Sequence, residues 1–91
     1  MKKIETEMCA AVKERREWSC GNTSVVVCQG DVYVHLHGHV IYCDYGEFTL
    51  AGHNTNLTRS RLRALGVDVR VKNGKPEYKG QIIEENNWYS I

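Results

Sequence analysis

Between Thr23 and Gly52 apolar and polar residues alternate in short runs, and the runs are separated by turn-forming pairs. A period of two puts every second side chain on one face of a pleated strand. The pattern therefore predicts antiparallel strands joined by tight turns at Gly30-Asp31, Gly38-His39 and Tyr45-Gly46. Working outward from these turns pairs Val27 with Val34, Leu36 with Ile41, Val34 with Cys43, and Cys43 with Phe48. All three turns then agree on one apolar face: Val25, Val27, Val32, Val34, Leu36, Ile41, Cys43, Phe48 and Leu50. The opposite face carries Val26, Cys28, Tyr33, His35, His37, Val40, Tyr42 and Thr49. A register on which three turns agree is strongly specified, because a one-residue slip would exchange the two faces.

Residues 2–17 follow a different period. Ile4, Met8, Ala11 and Val12 recur at i, i+4, i+7 and i+8, with Lys, Glu and Arg around them, which predicts a helix with one apolar stripe. Ser19 to Asn22 form a turn that ends it, and Trp18 is expected to fill the seam between helix and sheet. A short second helix runs to Leu65, with Thr55 or Asn56 as its N-cap and Gly66 as its stop. Val67, Val69 and Val71 alternate as a strand, and Asn73-Gly74 is a strong hairpin dipeptide. Pro76 suits an edge strand because it lacks a backbone donor. Ile82-Ile83 and Trp88 to Ile91 supply the last strands. The expected fold is a single α+β domain over residues 1–91. It has an N-terminal helix on one face of a four- to five-stranded antiparallel sheet, a second short helix and a C-terminal hairpin.

Composition adds limits. The chain has 91 residues, 42% of them hydrophobic and 25% charged, which suits one modest core and argues against disorder. No apolar run approaches the roughly 20 residues that cross a bilayer, so no membrane partner is expected. Glu5 and Glu7 interrupt the start where a signal peptide needs apolar residues, and a cytoplasmic protein is expected. Cys9, Cys20, Cys28 and Cys43 contain no C-x-x-C pair, which disfavours a zinc ribbon or a redox motif and predicts free thiols.

The net charge of +1 hides an asymmetry. Residues 18–57 hold three acids, no Lys or Arg and all four histidines, whereas residues 58–79 hold seven bases against Asp68 and Glu77. On the second helix Arg59 and Arg63 share an outward stripe, and Arg70, Lys72 and Lys75 continue the basic run. Such a cluster is a footprint for an acidic protein surface or for nucleic acid. The Tyr33, His35, His37 and Tyr42 side of the sheet is the other candidate contact. Arg61 falls at the border of the apolar arc, where its stem covers the core and its head pairs with a carboxylate or carbonyl.

Catalytic chemistry finds little support. His35 and His37 lie at i, i+2 and could share a metal, but no third ligand adjoins them, so no metal is expected. A nucleophile elbow and a glycine-rich phosphate loop are both absent, so neither an enzyme nor a cofactor is expected.

Three segments carry a resemblance: Trp18 to Val25, Val34 to Ile41, and Thr58 to Leu65. With W-x-x-G-N-T, L-H-G-x-x-I and T-x-S-R-L-x-A-L patterns in this order, the chain resembles a group of small phage proteins across residues 18–66. It departs from them at Asn54, at Asn56-Leu57 and over 72–83. The resemblance implies a mobile-element protein that binds a host protein or complex, including as an anti-CRISPR-like inhibitor of defence, and it brings no catalytic residues with it.

Overall fold

The computed structural model describes residues 2–91. In chain order the elements are helix α1 (Lys3–Glu14), strands β1 (Trp18–Cys20), β2 (Thr23–Cys28), β3 (Asp31–Leu36), β4 (His39–Cys43) and β5 (Glu47–Phe48), helix α2 (Asn56–Ala64), then strands β6 (Arg70–Lys72), β7 (Lys75–Tyr78), β8 (Gln81–Ile82) and β9 (Tyr89–Ser90). One antiparallel sheet has the order β1-β2-β3-β4-β5-β9, and a second has the order β6-β7-β8. The class is α+β, as the alternation implies. The main sheet has six strands because Trp18–Cys20 folds back on Thr23–Val25, and because the C-terminal Tyr89–Ser90 pairs with β5. The expected turn at 19–22 is thus half strand. Trp18 fills the helix–sheet seam from within β1, half-buried against the core.

Both helices cover the same face. Met8 and Ala11 of α1 and Leu62 of α2 meet Val25, Val32, Val34, Leu36, Ile41, Phe48 and Leu50, and Val67, Val69 and Ile83 complete the core. Helix α1 stops at Glu14, short of residue 17, because Arg15 turns left-handed (φ 55) and the N–H groups of Arg15 and Arg16 return to the carbonyls of Val12 and Ala11. Helix α2 starts at the expected cap: Thr55 Oγ1 accepts from the Thr58 N–H at 3.2 Å.

The first two turns lie one residue earlier than the pattern suggests, and the third spans three residues, Asp44 to Gly46, so that Cys43 meets Glu47 instead of Phe48. Gln29-Gly30 and His37-Gly38 have φ of 51 and 87, and 53 and 81, so both central residues are left-handed. This is the type I′ geometry, whose twist matches that of the flanking strands. Next to these two turns the shift moves the pairing by two residues: Val27 meets Val32, Val25 meets Val34 and Leu36 meets His39. Two is the side-chain period, so no residue changes face and the expected core survives the wrong register. His37 moves from the sheet into the turn, and His39 becomes the first residue of β4.

A bulge has the opposite effect. His35 pairs with Val40 but Val34 pairs with Tyr42, which leaves Ile41 as an extra residue on β4. An extra residue is an odd shift, so the remaining positions of β4, Tyr42 and Cys43, change face. Tyr42, expected on the outer face, lies opposite Val34 and Phe48 and packs against the core. Cys43, expected in the core, lies opposite Tyr33 on the outer face. It is nevertheless buried.

The C-terminal third departs most. Val67 and Val69 are buried in the core rather than in a strand, and the Val69 N–H returns to the Val67 carbonyl at 2.9 Å, which breaks the extended run. The Asn73-Gly74 hairpin forms as expected, but a second turn at Lys79-Gly80 adds β8 and makes Pro76 a residue of the central strand. Pro76 lacks a donor, and there only its carbonyl is used, accepting from the Ile83 N–H at 3.0 Å just past the end of β8.

Glu5, expected on the polar face of the first helix, is buried and paired with Arg61 at 2.8 Å. Ser60 Oγ donates to the same carboxylate oxygen, and Arg61 Nε donates to Thr23 Oγ1 at 3.1 Å. Burial by itself would raise the Glu5 carboxyl, but the hydrogen bonds from Ser60 and Arg61 and the Arg61 charge outweigh it and hold the group below its ordinary value.

The four cysteines are free. Cys20 and Cys28 are exposed, Cys9 Sγ donates to the Ala64 carbonyl, and Cys43 is covered. Burial pushes the Cys9 and Cys43 thiols up. The thiolate is the reactive form, so alkylation of the native protein at mild pH should label two thiols quickly and two slowly. Peptide mass mapping that finds Cys43 among the fast pair would contradict its placement under Tyr33 and Tyr45.

Candidate functional site

The small sheet presents the basic run. Cross-strand neighbours share a face, and Arg70 lies opposite Glu77, Lys72 opposite Lys75, and Glu77 opposite Ile82. Residues i, i+2 also share a face, so Arg70, Lys72, Lys75, Glu77 and Ile82 stand together on one side. Val71, Pro76 and Tyr78 stand on the other, where Tyr78 meets Phe48 edge-on with ring centroids 4.8 Å apart. Lys72 and Lys75 are exposed and, among the described residues, neither has a carboxylate partner. Arg70 is bound to Asp68 at 2.9 Å, which raises its pKa, first through the hydrogen bond and then through the charge. Ile82 is 51% exposed in the middle of this polar face. Arg63 reaches the connection before β6, donating to the Val69 carbonyl at 3.1 Å, and so stands beside the hairpin.

Arg59 is the main correction. The wheel places it outward with Arg63, yet it is 8% exposed. Its guanidinium turns back on the loop before α2, donating to Asn54 Oδ1 and, at 2.6 Å, to Asn56 Oδ1. Helical periodicity distinguishes faces of a helix, but the loop that lies over one of those faces is a non-local fact. A charge reversal at Arg59 would bury a carboxylate and would not probe a surface.

The aromatic and histidine set does not assemble. Tyr33 and His35 lie on the outer sheet face, where Tyr33 meets Tyr45 edge-on at 6.2 Å. His37 lies in the turn, and Tyr42 faces the core. His39 instead meets His53 at a tilt, with centroids 5.6 Å apart, beside a cleft of about 170 Å³ whose lining includes Leu36, His37, Ile41, Leu50 and His53. Among the described residues, no three His, Cys, Asp or Glu side chains are placed to hold a metal together. No helix of the described residues is long and apolar enough to cross a membrane.

Ile82 is the surface residue that sequence reasoning missed. Two adjacent isoleucines in a strand cannot both face the core, which signals that one is exposed. Choosing between them needed the Lys79-Gly80 turn, which puts Ile83 inside and Ile82 out.

The family model of the Kyanoviridae Gp96 protein matches residues 1–90 of this chain. No curated protein and no solved structure matches it. The chain belongs to the Kyanoviridae Gp96 family and is a phage protein.

Proposed function

We propose that this phage protein is a non-enzymatic binding protein that works in the host cytoplasm, docks on an acidic surface of a host protein and occludes it, as an anti-CRISPR-like inhibitor of a defence machine would. The observation that supports this reading is the pair Lys72 and Lys75, directly opposite each other at a hairpin tip and, among the described residues, in no ion pair with a carboxylate. Like charges directly across an antiparallel pair repel, and an acidic surface relieves that repulsion while the field steers its approach. Arg63 and Arg70 flank the pair, and Ile82 adds an exposed apolar contact to the same face.

Nucleic acid fits this surface less well. Asp68 and Glu77 interrupt the cations, and Tyr78, the one aromatic of residues 58–79, is turned inward onto Phe48 and offers no stacking platform.

Lys72→Glu tests the reading cleanly. It turns a like pair into an opposite pair, so the fold is not weakened, while the patch loses two units of positive charge. Partner capture from nuclease-treated host lysate should fall at least tenfold, whereas Lys3→Glu on α1 should leave it unchanged. Equal capture by the Lys72 variant would move the interface elsewhere. Loss of every partner on nuclease treatment of the native protein would favour nucleic acid.

A further inference from the structure

Helix α2 holds two buried arginines in contrasting surroundings. Arg61 has the Glu5 carboxylate at 2.8 Å. Arg59, 8% exposed, has two neutral amide oxygens, from Asn54 and Asn56, and no carboxylate among the described residues. Buried charges are ordinarily paired, because desolvation is costly. The position compounds the cost: Arg59 is in the first half of α2, where the helix dipole disfavours a cation, and Arg63 follows one turn later. Burial first, and then the Arg63 charge, push the Arg59 pKa down. Everything around this guanidinium favours the approach of negative charge.

The amide that holds Arg59 also borders a cleft of about 300 Å³, together with Lys75, Pro76, Glu84, Glu85 and Asn86. A guanidinium only donates, so Asn54 must offer it the oxygen, and the Nδ2 group becomes the free donor of that amide. A hydrogen bond to a cation polarises the amide and strengthens those N–H groups. Lys75 brings a full positive charge to the same cleft. Glu84 and Glu85 border it too, and their repulsion sets an upper limit on the negative charge it can take.

We propose that this cleft is a binding site for one compact oxyanion, a carboxylate or a phosphate, held by Asn54 Nδ2 and the Lys75 ammonium, with Arg59 behind Asn54 supplying the field. A polyanion is excluded by Glu84 and Glu85. The site shares Lys75 with the host-protein surface but needs neither Arg70 nor Lys72, and Asn54 and Arg59 belong to it alone, so its test through Asn54 is separate from the Lys72→Glu test of that surface.

The test is thermal melting at constant ionic strength, with sodium chloride exchanged for sodium phosphate in one series and for sodium acetate in another. At least one oxyanion should raise the native midpoint saturably above chloride, as a ligand of the folded state does. The larger response identifies the source, free phosphate or a carboxylate such as a partner's acidic side chain. Asn54→Asp places a carboxylate on Arg59; it should raise the midpoint in chloride alone and abolish the oxyanion increment. Responses equal to chloride in both series, or an increment that survives Asn54→Asp, would overturn the proposal. Should that variant fail to fold, phosphate and acetate titrations of the native protein followed by nitrogen-15 NMR decide it. Saturable shifts at Asn54 Nδ2 and Arg59 Nε support the site, and unmoved resonances there in both titrations overturn it.

Discussion

Arg61→Ala is expected to destabilise the protein by about 3–5 kcal/mol, because it leaves the buried Glu5 carboxylate without its charge partner. That is a large share of the roughly 5–15 kcal/mol that holds a domain together, and the melting midpoint should fall by more than about 12 °C. Glu5 and Arg61 are 4% exposed each, and Ser60 and Thr23 lose their place in the network with them. Replacing both charges with leucine should cost far less, since the penalty comes from the uncompensated ion rather than from a loss of attraction. Equal costs for the single and the double variant, measured by chemical denaturation, would show that the pair is effectively solvated. The pair also predicts an acid limb. Glu5 has a folded-state pKa below its ordinary 4.5, so its contribution is complete above that value and is lost as pH falls through the folded pKa. Glu5→Gln should therefore flatten the fall of stability below about pH 5 while lowering the plateau at neutral pH.

Phe48→Ala is expected to cost about 3–5 kcal/mol, as truncation of a fully buried aromatic does. Phe48 has no exposed surface and joins the two sheets: its ring meets Tyr78 of β7 at 4.8 Å and Tyr89 of β9 at 5.9 Å. The loss should therefore be felt beyond β5. Amide exchange of β7 and β9 should accelerate more than that of β2, which lies across the main sheet. Uniform acceleration would mean that the small sheet does not depend on this contact. Lys72→Glu, by contrast, acts on exposed charge and should move binding without moving stability.

The faces of the strands were legible without a structure. Val25, Val32, Val34, Leu36, Ile41, Phe48 and Leu50 are core as the alternation says, even though the turns at Gln29-Gly30 and His37-Gly38 lie one residue early. An error of two in register cancels against a period of two. The caps of α2 were legible because they are local: Thr55 acts through its own hydroxyl and Gly66 through its own backbone, each within a turn of the helix.

The candidate site was legible in part. Lys72 and Lys75 were readable as an exposed basic pair, because Asn73-Gly74 dictates a hairpin that sets the two opposite each other. Arg59, Tyr42 and Cys43 were not. Tyr42 and Cys43 changed sides through one extra residue, Ile41, whose bulge the alternation does not encode. Arg59 was buried by the loop at Asn54, and Pro76 was made central by β8.

Local order therefore came from the sequence itself: strand faces, helix starts and hairpin tips follow from side-chain period and from the φ preferences of a few residues. Tertiary structure alone decided which charges are inside. Arg59, Arg61 and Arg63 are alternate residues of one helix, chemically identical. One is buried against amides, one is paired with a carboxylate from the far end of the chain, and one is left at the surface. A charge takes its energy from everything within a few ångströms of it, and those neighbours are brought there by the fold.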